Sequence, residues 1–340
     1  MGTLLVTSLH EGDGKTAFCA GLAVLLRQRG RAPGLFKLFP TAGQADDPDA
    51  RFYRQFTGVT APDLPLPAEA MGEGLSAQAK ARLTEAVQQL SVRMSPIILE
   101  GPSLSAGPGG LAAGVRALAE ALDARVALVV QPAPSLTAAR VEEAARSLGT
   151  RLAGVVINGV RRYQSHSVDV GLAGPLHAAE IPVLACIPED RRLVAVTVGE
   201  IAGALQGEFV LLEEKQEQLV DHLMIGGNVL DWGVHYFSQE ESKAVIVRGD
   251  RPDIQMAALH TPTRCLVLTG GHGPLQYVRY EAQEEGVPLV LVRPNTLETA
   301  RAAEALFTTS TIHHPEKAER YAQLLAERMD AARLVELAGA

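Results

Sequence analysis

Cysteine is scarce in this sequence, three among 340 residues. Cys19, Cys186 and Cys265 are odd in number, far apart and each set among apolar neighbours. That excludes a disulfide framework and points to buried, reduced thiols, hence to a cytoplasmic protein. Long hydrophobic runs are missing too: no apolar stretch approaches the ~18 residues that a membrane span needs. An excess of positive charge is also lacking. The formal net charge is −8 and the isoelectric point about 5.6, which argues against a binder of the phosphate backbone, so nucleic acid is not an expected partner. The apolar residues 4–6 have no basic region before them and position 6 is Val6, so neither a secretory signal nor a myristoylation pattern is expected. Zinc-ligand spacing is absent among the histidines, with His313 and His314 adjacent and His222, His235, His260 and His272 scattered. No repeat period of the solenoid kind is seen.

What remains is a globular composition, 47% hydrophobic and 21% charged, with mean hydropathy near zero at +0.09. The length suits two domains, each with its own core. Short aliphatic runs at 4–6, 35–39, 97–99, 126–130, 155–157 and 183–187 read as buried parallel strands. Amphipathic stretches at 16–29, 76–90, 111–122 and 135–148 alternate with them, which predicts a doubly wound α/β domain. The Pro/Gly-rich residues 101–110 follow a strand end, where such sheets place ligand loops. After residue 206 the pattern breaks at the charged stretch 213–217. It resumes with strands at 244–247, 265–268 and 289–292 and helices at 252–259, 275–285, 297–306 and 315–334. The expected domains are therefore 1–212 and 213–340, the second a smaller α/β domain that includes the final helix.

The segment Thr7-Ser8-Leu9-His10-Glu11-Gly12-Asp13-Gly14-Lys15-Thr16 joins the first strand to the first helix, the place for a phosphate loop. Gly12 and Gly14 let the backbone N–H groups turn inward, the helix start adds its positive dipole end, and Lys15 supplies an ammonium for terminal phosphates. Thr16 then offers its hydroxyl to Mg²⁺. Standard spacing wants glycine where Leu9 stands; a permissive spacing uses Ser8. The expected nucleotide contacts in the loop are Gly12, Asp13, Gly14, Lys15, Thr16 and Ala17, and the expected cofactors are ATP and Mg²⁺.

Gly14-Lys15-Thr16, Lys37 in Phe36-Lys37-Leu38, Asp49-Ala50, and Glu100-Gly101 after the 97–99 run together resemble the ATP-binding fold shared by dethiobiotin synthetase and cobyrinic acid a,c-diamide synthase, over about residues 1 to 210. The resemblance implies that Asp49 and Glu100 serve Mg²⁺ and that Lys37 lies near the phosphates and a reacting carboxylate. Read from the residues alone, Glu100 ends a strand as a magnesium-ordering carboxylate should. Asp49 has Asp46 and Asp47 as rivals, and the other reading of this acidic run is a solvated loop with a helix cap. Lys37 reads equally as a surface lysine. Asn158, in Gly154-Val155-Val156-Ile157-Asn158-Gly159, carries an amide able to meet both an acceptor and a donor on an adenine edge. Its other reading is a turn residue before Gly159. In similar proteins Asn158 and the loop with Pro188 and Glu189 flank the base.

Farther on, Gly249-Asp250-Arg251-Pro252-Asp253 and Thr269-Gly270-Gly271 each follow an apolar strand, so both belong at one carboxyl edge of a sheet. These resemble the two signatures of the DRTGG domain, over about residues 215 to 325. A second ligand site is expected from Asp250, Arg251, Thr269, Gly270 and Gly271, with Arg251 offering its fork to an anion. An internal Asp250–Arg251 pair with a glycine turn is the alternative. The resemblance implies a regulatory or dimerising module.

The order of the two regions resembles the N-terminal half of long bacterial phosphate acetyltransferases. No acetyl-transfer domain is seen in this sequence, so that activity is not expected. The fold expected is a P-loop α/β domain, doubly wound on a mostly parallel sheet, with a smaller DRTGG domain. The function expected is a nucleotide-binding regulatory protein or slow ATPase, forming a homo-oligomer. The rivals are an ATP-dependent carboxylate–amine ligase, taking a small carboxylate metabolite, and a non-catalytic scaffold. Against the ligase, loop positions 10–13 are acidic, and no glutamine amidotransferase domain follows.

Overall fold

The computed structural model describes residues 2–39, 47–58, 76–105, 111–227 and 233–337. The chain divides into two compact units, Met1–Leu193 with Ile312–Ala340, and Val194–Thr311. The first unit starts with β1 (Thr3–Ser8), α1 (Lys15–Gln28), β2 (Gly34–Lys37), α2 (Pro48–Thr57), α3 (Ala77–Ser91) and β3 (Ile97–Ser103). It continues with α4 (Ala112–Ala121), β4 (Arg125–Val130), α5 (Ala138–Leu148), β5 (Leu152–Val160), α6 (Ser165–Val168), α7 (Gly174–Ala178) and β6 (Val183–Pro188).

The six strands pair in the order β2-β3-β1-β4-β5-β6, every neighbour parallel. A parallel sheet covered on both faces needs apolar residues at successive positions. Residues 126–130 show it: all are fully buried, with Val126, Leu128 and Val130 facing α4 and α5 and Ala127 and Val129 facing α1. β1 is where the chain, after going to one side for β2 and β3, crosses to the other for β4 to β6. Loops at the carboxyl edge of such a crossing point are where open α/β sheets bind ligands.

The second unit contains β7 (Val196–Thr197), α8 (Val198–Ala204), β8 (Glu208–Leu211), β9 (Leu219–Val220), β10 (His222–Ile225), α9 (Gly233–Phe237) and β11 (Lys243–Arg248). Then come α10 (Pro252–Leu259), β12 (Thr263–Thr269), α11 (Gln276–Glu284), β13 (Leu289–Leu291) and α12 (Thr296–Thr309). Its main sheet runs β10-β11-β12-β13-β8; β10 to β13 are parallel, and β8 is an antiparallel edge on β13. β7 and β9 form a separate antiparallel pair.

The chain then returns to the first unit as α13 (Pro315–Arg328) and α14 (Ala331–Leu337). Here the structure differs from the expected division at residue 213. The charged stretch 213–217 is a short turn inside the second unit, after β8, and the real crossings lie at 193–194 and 311–312. The final helix does not join the second domain. Its buried stripe of Ala318, Tyr321, Ala322 and Leu325 packs with α1 residues Phe18 and Leu22. An amphipathic stripe announces a helix but not which sheet it covers. Among the described residues no helix is long and apolar enough to cross a membrane.

Candidate nucleotide site

The turn between β1 and α1 is set by Gly14, whose φ of 96° is left-handed, a conformation open to glycine at no steric cost. A side chain there is excluded on a second ground: a Cβ would stand 2.1 Å from Nδ2 of Asn158. Gly12 is left-handed as well. Lys15 begins α1 with 7% exposure, and its ammonium donates to Ser8 Oγ at 3.1 Å and to Glu11 Oε2 at 3.2 Å. The hydroxyl of Ser8, the residue that a permissive spacing puts in place of glycine, donates onward to the carbonyl of His10.

The loop's two acidic side chains hold groups that a phosphate would use. Glu11 bridges Lys15 and Ser103, whose hydroxyl donates to Oε1 at 2.6 Å. Burial works against its charge, but these partners hold the carboxyl below its usual value. Asp13 is buried and accepts from the backbone N–H of His10 at 2.8 Å; burial outweighs that bond and raises its carboxyl. An anion entering this loop therefore meets a lysine already paired and an amide already bonded.

Behind the loop lies a buried polar cluster. Glu100, on β3, is 3% exposed and accepts from the Thr16 hydroxyl at 3.2 Å and from the Tyr53 hydroxyl. Burial, joined by the negative charge of Asp49, lifts its carboxyl from 4.5 to about 7. Lys37 ends β2 in register with Glu100, and its ammonium donates to both oxygens of Asp47, at 3.1 and 3.0 Å, and to Asp49. Burial opposes that charge, yet the carboxylates of Glu100 and Asp49 hold it above its ordinary value. Asp47 is the N-cap of α2, accepting from the N–H groups of Asp49 and Ala50. Asp49 gives its second oxygen to His313 Nε2 at 2.6 Å. Its rival Asp46 lies outside the described residues, as do residues 106–110 of the Pro/Gly-rich segment.

Near the end of β5, Asn158 donates from Nδ2 to the carbonyl of Asp13 at 2.9 Å and accepts at Oδ1 from the Tyr321 hydroxyl at 2.7 Å. Pro188 closes β6 opposite Val160, Glu189 stands 3.7 Å from Arg161, and Asp190 pairs with Arg320 of α13. Sequence reasoning missed Glu11, Tyr53, Ser103, His313, Arg320 and Tyr321 as site neighbours. Tyr53 carried a faint signal, one helical turn after Asp49 on the same face; Glu11 and Ser103 lay in the two segments already read as ligand loops, and the others carried none.

In the second unit the two glycine motifs meet at one sheet edge. Gly249 N–H donates to Thr269 and Gly270 N–H to Pro294, and the Thr269 and Thr296 hydroxyls lie 2.9 Å apart. The charged residues do not pair as the alternative reading had them. Arg248 forks onto Asp250 and Arg251 forks onto Asp253. Gln255, fully buried, donates to the carbonyls of Arg248 and Gly249, and its Oε1 has no protein partner.

Glu100 does not end its strand, since β3 runs on to Ser103; a strand, a glycine turn, and a lysine and threonine opening a helix beside a carboxylate on the neighbouring strand define a P-loop domain of the nucleoside-triphosphatase type. The family comparison agrees: the AAA domain model matches residues 2–197 and the DRTGG domain model residues 200–306. The chain belongs to the AAA domain family and carries a DRTGG domain. Among curated relatives, the phosphate acetyltransferases of Acinetobacter baylyi and Nitrosomonas europaea are each 25% identical, over 98% and 100% of this chain and 52% of their own length. The chain thus spans about half the length of these relatives, matching their N-terminal part. Among solved structures, cobyrinic acid a,c-diamide synthase from Mycobacterium smegmatis, with an ATP analogue and magnesium, is 22% identical over 56% of this chain and 88% of its own, TM-score 0.40. The CBS and DRTGG domains of the Clostridium perfringens pyrophosphatase regulatory region, complexed with diadenosine tetraphosphate, are 15% identical over 46% and 74%, TM-score 0.31. Likenesses of this size do not bear on function.

Proposed function

We propose that the chain is a nucleotide-binding regulatory protein, with ATP and Mg²⁺ held by the first unit and at most slow hydrolysis. The observation that carries this reading is the start of α1, where Lys15 is buried beside the β1–α1 turn and the half-buried Thr16 donates to Glu100. Lys15 would meet the terminal phosphates. Thr16 and Glu100 offer the hard oxygens that Mg²⁺ prefers, one or two from protein with phosphate and water supplying the rest. Among the described residues no three His, Cys, Asp or Glu converge as a metal cage, which is compatible with that mode of binding. The magnesium would neutralise phosphate charge; the residues' own part is to place the phosphates and exclude other arrangements.

Lys37 bears on the choice between regulator and ligase. Its ammonium is spent on Asp47 and Asp49, which counts against its receiving a reacting carboxylate. A DRTGG domain following the P-loop domain along the chain supports a sensing role, and a homo-oligomer in the cytoplasm fits it. The test is a thermal-shift series with ATP, ADP and tripolyphosphate, with and without Mg²⁺, followed by phosphate release. A magnesium-dependent ATP shift without carboxylate-stimulated release is the expected result. Release stimulated by small carboxylates would favour the ligase, and no shift with any ligand would leave a scaffold.

A further inference from the structure

The Asn158 amide is held at two points. Its Nδ2 donates to the Asp13 carbonyl inside the phosphate loop, and its Oδ1 accepts from Tyr321 on α13. An amide has two N–H donors and two lone pairs on its oxygen, so these bonds leave one N–H and one lone pair for a ligand. The Asp13 carbonyl only accepts, which keeps Nδ2 on the loop side and Oδ1 toward Tyr321. Tyr321 itself has little freedom: it is 1% exposed, and its ring lies so close to α1 that a Cβ on Gly21 would meet Cδ1 at 2.4 Å. The same helix reaches the loop after β6, where Arg320 pairs with Asp190 at 2.7 Å.

We propose that Tyr321, on the helix by which the chain returns to its first unit, is a positioning residue for base selectivity, clamping the Asn158 amide so that it distinguishes a 6-aminopurine nucleotide from a 6-oxopurine one. The inference rests on the nucleotide reading above. A donor and an acceptor on one edge match the amino group and ring nitrogen N1 of adenine, and they meet the opposite pattern on the same edge of hypoxanthine, where N1 carries a proton and the 6-position an acceptor oxygen. With the tyrosine hydroxyl gone, the amide hangs from Asp13 alone and turns to suit either base.

The experiment measures binding of ATP, inosine triphosphate and tripolyphosphate, all with Mg²⁺, to the full chain and to Tyr321→Phe, Asn158→Ala and their double variant, each checked for a native melting curve. The wild-type chain is expected to prefer ATP about tenfold or more over inosine triphosphate. Tyr321→Phe is expected to bring the two within about threefold while tripolyphosphate binds as before, and to add nothing in the Asn158→Ala background. Arg320→Ala, which loosens the same helix without touching the amide, is expected to keep the wild-type ratio. An unchanged ratio in Tyr321→Phe, an equal loss for all three ligands, a wild-type chain indifferent to the base, or an equal collapse in Arg320→Ala would each overturn the inference while leaving the nucleotide reading intact. Should Tyr321→Phe not fold, an Asn158→Ala ratio equal to wild type overturns it too. A wild-type chain that binds neither ATP nor tripolyphosphate removes the nucleotide reading itself.

Discussion

In the first unit the charged groups at the carboxyl ends of β1, β2 and β3 are buried, the exposed Glu11 apart, whereas the turn after β11 in the second leaves its charged groups in solvent. Lys15, Asp13, Asp47 and Glu100 are all buried, and each is held by specific partners. Asp250 and Arg248 stand 42% and 64% exposed, and Arg251 and Asp253 are about a third exposed. What is buried at the second edge is backbone and the Gln255 amide. Charges taken out of water cost several kcal/mol unless paired, and perturbed carboxyls gather at functional sites. Exposed pairs contribute little. The comparison places the candidate chemistry in the first unit and gives the second a shaped edge without a strong field.

The largest expected effect sharpens the first half of this contrast. Glu100 keeps its proton to about pH 7 in the folded chain, against an ordinary 4.5, so between those values the folded state binds more protons than the unfolded one. Stability without metal should therefore fall as pH rises from about 4.5 to 7, by about 3 kcal/mol, and level off above. Melting curves in chelator across that range should show a steeper loss for wild type than for Glu100→Gln; parallel curves would remove the buried acid from the account. Gly249→Ala comes next and probes the second unit. A Cβ there would stand 1.9 Å from the carbonyl oxygen of His272, so the variant should lose about 2 kcal/mol in denaturant unfolding.

A smaller effect tests whether the phosphate loop is closed on itself. Glu11 sits 3.2 Å from Lys15 with its side chain 73% exposed, so solvent already weakens that pair. Glu11→Gln should tighten magnesium–tripolyphosphate binding about three- to tenfold by removing a competing anion; weaker binding would show instead that Glu11 helps hold the ligand. Smallest of all, Asp250→Ala and Arg251→Ala should leave the melting temperature unchanged. A clear loss in either would mean that the second edge depends on its charges after all.

Most of the frame was legible in the sequence because its strands are buried on both faces. The run at 126–130 and the other five strands of the first sheet show as continuous aliphatic stretches for that reason. β8 was not legible: Glu208–Leu211 is a partly exposed antiparallel edge, with neither the alternation nor the unbroken apolarity that marks a strand. Gly14, Lys15 and Thr16 were readable because their spacing along a strand, turn and helix already fixes their geometry, and Glu100 because it directly follows the aliphatic run of a buried strand. His313 and Tyr321 were not, since they reach Asp49 and Asn158 across 264 and 163 residues of chain. Only the return of α13 to the first unit brings them there, and nothing in its stripe of apolar residues names the surface it will cover.

The most direct test of the central claim is calorimetric titration of the wild-type chain and of Lys15→Ala with ATP in the presence of Mg²⁺. Saturable binding to wild type is predicted, weakened about 30- to 1000-fold in the variant, the ~2 to 4 kcal/mol expected for lost charge-assisted bonds. Equal affinity in the two proteins, or no binding to wild type, would contradict it.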